Sequence, residues 1–147
     1  MGVYEDRAKL LWSLSGSTGG GTGTTISANG NSGGFGDTSP APFPSSAIGL
    51  ELASDLQLMV YINGKTLTPS FTVGLGYYDS LGHLFAPTTL QLPNITVTTV
   101  PTTAALNAGV RAGSSGTTYF AFPQWGQVYW TISGGTVTGV EIQLWGK

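Results

Sequence analysis

Apolar and polar residues alternate with a period of two through most of this chain, the signature of half-buried β-strands. Leu56, Leu58, Val60 and Ile62 alternate with Gln57, Met59 and Tyr61, the cleanest strand in the sequence. Phe71, Val73, Leu75 and Tyr77 form the next, with Thr72, Gly74, Gly76 and Tyr78 on its other face. Shorter alternations at Ile48–Leu52, Thr89–Leu92, Ile95–Val100 and Thr117–Phe122 predict further strands, and residues 101–116 read as a loop. Asn63-Gly64 is a type I′ turn pair, and Asp79-Ser80-Leu81-Gly82 turns the chain before His83-Leu84-Phe85 returns it. In the closing stretch Gly126–Trp145, Ser133-Gly134-Gly135-Thr136 predicts a hairpin turn. Val128, Trp130 and Ile132 then share one face, and Val140, Ile142 and Leu144 another. Val137 has the wrong parity for that second face, and a one-residue bulge at Thr138-Gly139 would correct it. About eight short strands with regular turn signals predict an all-β fold: a single antiparallel β-sandwich or jelly roll over residues 45–147.

The first 44 residues follow different rules. Within 3–14, Tyr4, Ala8 and Leu11 fall at i, i+4 and i+7, a weak signal for a short helix. Residues 15–37 hold nine glycines, and no charge occurs from Leu10 to Gly36. Asp37–Pro44 then adds three prolines. Such composition predicts a long Gly/Ser/Thr/Pro-rich N-terminal arm that cannot order itself. Leu10, Leu11, Trp12, Leu14, Phe35 and Phe43 are its apolar anchors, to be received by neighbouring subunits or by the arm's own domain.

Composition narrows the functions. Charged residues are 8% of the chain, against a usual quarter, and the net charge is −2. Five Lys and Arg do not make the clustered cations that phosphates require, so no nucleic-acid partner is expected, nor an anionic membrane surface. With no cysteine there is neither a disulfide nor a thiolate metal site. No apolar run reaches the length of a membrane helix. The start, Met-Gly-Val-Tyr-Glu-Asp-Arg, has acids where a signal peptide wants bases, so assembly in the cytoplasm is expected.

Candidate chemistry is sparse. His83 is the only histidine. Asp79, Ser80 and His83 could be drawn as a triad, but they belong to one tight turn, whereas a triad converges from separate segments. Glu51 and Glu141 lie on polar strand faces, and nothing marks them as a glycosidase pair. The glycines of 19–23 lack the Lys-Ser/Thr of a phosphate loop. No catalytic residue, metal site or cofactor is expected, and the chain reads as a non-enzyme. Trp125 and Tyr129 are the aromatic candidates for contact between domains or, alternatively, for stacking on glycans.

The ending VYWTISGGTVTGVEIQLWGK and the middle segment PSFTVGLGYYDSLGHLF resemble patterns in small structural proteins of tailed bacteriophages, among them head decoration (cement) and minor capsid proteins. That resemblance, over residues 45–147, implies a compact β-domain on the capsid surface. It further implies a homotrimer, contact with the major capsid protein, and an arm over neighbouring coat subunits. The alternative is a tail or fibre module that recognises host glycans through exposed aromatics.

Overall fold

The computed structural model describes residues 8–15, 24–35, 47–50, 53–79, 81–86, 88–109 and 124–147. In chain order the strands are β1 (Lys9–Ser15), β2 (Thr24–Ile26), β3 (Gly30–Asn31), β4 (Gly34–Phe35), β5 (Ile48–Gly49) and β6 (Asp55–Ile62). They continue with β7 (Gly64–Tyr78), β8 (Leu84–Phe85), β9 (Ile95–Thr96), β10 (Thr102–Gly109) and β11 (Trp125–Gly146). No α-helix occurs among the described residues; a single 3-10 turn spans Thr88–Leu90. The fold is thus all-β, an antiparallel sheet curled into a half-barrel.

Two long strand tracks organise it. β11 runs unbroken for 22 residues. It pairs with β7 from Gly126↔Tyr77 to Thr138↔Gly64, then with β6 from Glu141↔Tyr61 to Gly146↔Leu56. The register is the same on both sides of Asn63, so β6 and β7 are one track with a bend, not a hairpin. The predicted turn at Asn63-Gly64 is therefore wrong: Asn63 donates its N–H to the Thr138 carbonyl at 3.2 Å and stays in the ladder. The predicted hairpin at Ser133–Thr136 is wrong as well. Gly134 (φ 75°) and Gly135 (φ 152°) absorb a register shift opposite Leu67 (φ 57°), where β7 carries one extra residue. A continuous partner strand lets these glycines accommodate a bulge without reversing the chain.

The predicted bulge at Thr138-Gly139 is present. The pairings Val137↔Ile26 and Val140↔Thr24 differ by one residue in register, and Gly139 has φ 59°. Val137 and Val140 are both fully buried in consequence. The bulge sits opposite Asn63, so both tracks bend together and divide the sheet into two limbs. Limb A is β10–β6–β11–β1, with residues 141–146 of β11. In limb B, β7 and residues 125–138 of β11 form the centre, flanked by β8 and β9 on one side and β2, β3 and β5 on the other. A side chain at 139 would place its Cβ 2.7 Å from that of Asn63, on top of the cost of a positive φ. Gly139→Val is expected to destabilise the protein by about 2 kcal/mol in urea unfolding, and Gly139→Asn by less.

The limbs close around one core. Leu56, Leu58, Val60, Ile62, Ile142 and Leu144 from limb A face Phe71, Val73, Leu75, Val128 and Trp130 from limb B. The far ends are tied: Leu50 N–H donates to the Gln124 carbonyl at 2.9 Å, and the N–H groups of Ser54 and Asp55 both donate to that of Lys147.

The leader corrects several expectations. Residues 9–14 are strand, not helix, because the edge of β11 offers a full row of backbone partners and the helical signal was weak. Its described strands follow β11 in order, from Lys9↔Gly146 through Ile26↔Val137 and Gly30↔Trp130, and β5 completes the row at Gly49↔Trp125. Thr102–Gly109, read as loop, is β10, paired along its whole length with β6. Small residues hid it: Ala104 and Leu106 are its only core-directed apolar side chains with described burial. Of Thr89–Leu92, Thr89 and Leu90 belong to the 3-10 turn and Gln91 makes an isolated antiparallel bridge with Gly74, and of Ile95–Val100 only Ile95–Thr96 is strand. Leu52 and the Thr117–Phe122 strand lie outside the described residues.

Candidate functional site

Three of the six anchor residues expected in the arm pack on their own chain. Leu11, Trp12 and Leu14 of β1 are partly buried against the core, while Leu10 is 46% exposed and stands opposite Trp145. Phe35 pairs through its backbone with Gly30, and Phe43 lies outside the described residues. On the domain, Trp125 opens β11 across from Gly49, with its ring 3.7 Å from where a Gly49 Cβ would stand. Tyr129 lies over Gly74, whose Cβ would overlap its ring, and burial pushes its phenol pKa up. Each ring covers a glycine on the neighbouring strand, so much of its surface is spent inside the sheet.

Three of the exposed large apolar side chains gather where β7 turns into β8, while Leu67, Leu10 and Val100 are exposed singly elsewhere. Leu81 is 71% exposed, Leu84 44% and Phe85 49%, and the Phe85 ring stacks on Tyr77 with centroids 6.1 Å apart. A hydrogen-bonded turn presents them. Asp79 N–H donates to the His83 carbonyl, and Gly82 N–H to that of Asp79. The Asp79 Oδ1 accepts from the N–H groups of Leu81 (2.9 Å) and His83 (2.8 Å), and Oδ2 lies 2.8 Å from His83 Nδ1. His83 and the two N–H groups together hold the Asp79 carboxyl below its ordinary value of 3.8. His83 therefore braces a turn.

A depressed carboxylate pKa contributes its stabilisation above the ordinary value and loses it as pH falls through the lowered one. The turn should thus keep its strength at neutral pH and loosen only below about pH 3.8. Asp79→Asn is expected to loosen it at every pH, read as faster amide exchange at Leu81 and His83 by NMR.

Among the described residues no three His, Cys, Asp or Glu side chains cluster as a metal site would need. Every buried side-chain nitrogen and oxygen described has a hydrogen-bond partner. The exposed tip was missed in the sequence because Leu84 and Phe85 read as an ordinary return strand. The available signal was that a strand only two residues long cannot bury both side chains.

The architecture is that of an all-β half-barrel with an exposed apolar tip. No protein-family profile, curated protein or solved structure matches this chain.

Proposed function

We propose that this chain is a non-enzymatic structural protein of a tailed-phage virion, a decoration or cement protein that docks on the capsid shell. The observation that carries the docking is the tip: Leu81, Leu84 and Phe85 exposed together on a braced turn. Apolar side chains held out on a rigid turn suit burial in a protein partner, here the major capsid protein. The resemblance supplies the virion setting and the homotrimer. A near-neutral surface with five cations supports a protein partner over nucleic acid.

Binding only to assembled shell would stabilise it by mass action, and a trimer would add avidity through repeated sites. The half-barrel would be the described part of a jelly-roll-like sandwich. Shell contact is assigned to the tip, because the described leader strands already occupy β11 of their own chain. Glycan recognition through Trp125 and Tyr129 is not adopted, because both rings lie across glycines.

The test is co-sedimentation with density-purified particles from the source culture. The intact chain should travel with the particles. A Leu84→Asp/Phe85→Asp variant with an unchanged melting temperature should stay in the soluble fraction. Equal recovery of both on particles, or of neither, overturns the proposal.

A further inference from the structure

Limb A turns a second ordered surface to solvent, the face opposite the core. Its side chains stand in cross-strand rows: Glu141, Tyr61 and Thr103; then Gln143, Met59 and Ala105; then Trp145, Gln57 and Asn107. Two shallow depressions lie along these rows. One, of about 440 Å³, is lined by Met59, Tyr61, Thr103, Ala105, Glu141 and Gln143. The other, of about 310 Å³, is lined by Asp55, Gln57, Asn107, Trp145 and Lys147.

The two depressions repeat one composition. Each has one aromatic ring, one carboxylate and at least one carboxamide: Tyr61, Glu141 and Gln143 in the first, Trp145, Asp55 and the Gln57–Asn107 pair in the second. The polar groups are held in advance. Trp145 Nε1–H donates to Gln143 Oε1 at 3.0 Å, Gln57 Nε2–H to Asn107 Oδ1 at 2.8 Å, and the Tyr61 hydroxyl to Asn63 Oδ1 at 3.4 Å. Fixing these side chains before binding lowers the entropic cost of a ligand.

We infer that this face binds a neutral oligosaccharide laid along the strands, a site separate from the tip and independent of the shell-docking reading. A pyranose ring has an apolar C–H face that packs on an aromatic side chain, and a rim of hydroxyls. Carboxylates accept from those hydroxyls, and the Gln143 amide keeps N–H donors for their oxygens. Rows two apart on a strand are separated by four residues, about 13 Å, so Tyr61 and Trp145 contact different sugar units of one chain. Among the described lining residues, two carboxylates stand against the single cation Lys147, a balance that selects against sulfated or phosphorylated glycans.

A glycan array probed with the intact chain, followed by calorimetry on the best neutral oligosaccharide, tests this. Tyr61→Ala, Trp145→Ala and Glu141→Gln should each raise Kd at least about tenfold without moving the melting temperature. Trp125→Ala and Leu84→Asp should leave it unchanged. Should a variant misfold, ¹⁵N-indole NMR of the unaltered protein decides. The Trp145 indole resonance, alone among the four tryptophans, should shift with added oligosaccharide. An array without neutral-glycan signal, a Kd within twofold in both aromatic variants, or shifts centred on another tryptophan would overturn the inference.

Discussion

Removal of residues 1–44 is expected to abolish cooperative folding. The segment supplies Ile26, which is fully buried, and Leu11, Trp12 and Leu14, which are partly so. At ~1.5–3 kcal/mol for a fully buried large aliphatic side chain, with fractions for the others, the loss is on the order of 5 kcal/mol. That equals the whole stability of many single domains. Truncation would also strip β1, β2 and β3 from β11, leaving the edge of the longest strand as a template for aggregation. Soluble yield and a thermal melt by circular dichroism check this. A truncated chain melting cooperatively within about 3 °C of the full one would show that the leader adds no stability.

Trp130→Ala should be the most damaging single substitution in the core. The side chain is 1% exposed, and its ring fills the space over Gly30, where a Cβ would lie 2.6 Å from it. Its indole N–H donates to the Ala28 carbonyl at 3.2 Å. One residue thus joins the core of limb B to the leader. Truncating a buried Trp to Ala costs about 3–5 kcal/mol. For a chain of this size that lowers the melting temperature by about 10 °C. Trp130→Phe keeps most of the volume and loses the hydrogen bond, so it should cost less than half as much. Equal losses for Ala and Phe would mean that the indole N–H, not the packing, carries the contribution.

Strand parity was legible in the sequence where side chains are large. Leu56–Ile62, Phe71–Leu75, Val128–Trp130 and Val140–Leu144 each bury the face that their alternation predicts. The bulge at Gly139 was legible too, since only an inserted residue puts Val137 and Val140 on one side. Connectivity was not. Gly-Gly and Asn-Gly pairs carry the same local signal whether the chain reverses or bends, and only the partner strand decides. Here β6 and β7 accompany β11 through both sites. The leader failed for a related reason. Its glycines and hydroxyls have little intrinsic order, yet an edge of 22 residues supplies backbone partners that composition cannot reveal. Of the candidate surfaces, the aromatic residues were visible, but which of them lie across glycines depends on cross-strand register. Met59 and Tyr61 carry no such signal, because they sit on the polar face of a well-formed strand.

Lys9 and Gly146 stand directly opposite each other. A pull applied between those two positions therefore loads the ladder of β1 and β11 one rung at a time, as a zip opens, and not all rungs together in shear. In an optical trap the molecule should yield at low force from that end, with β1 peeling away first. Handles placed at the two ends of the β6–β7 track, at Asp55 and Tyr78, would instead stretch the bent strand along its axis and meet far greater mechanical resistance.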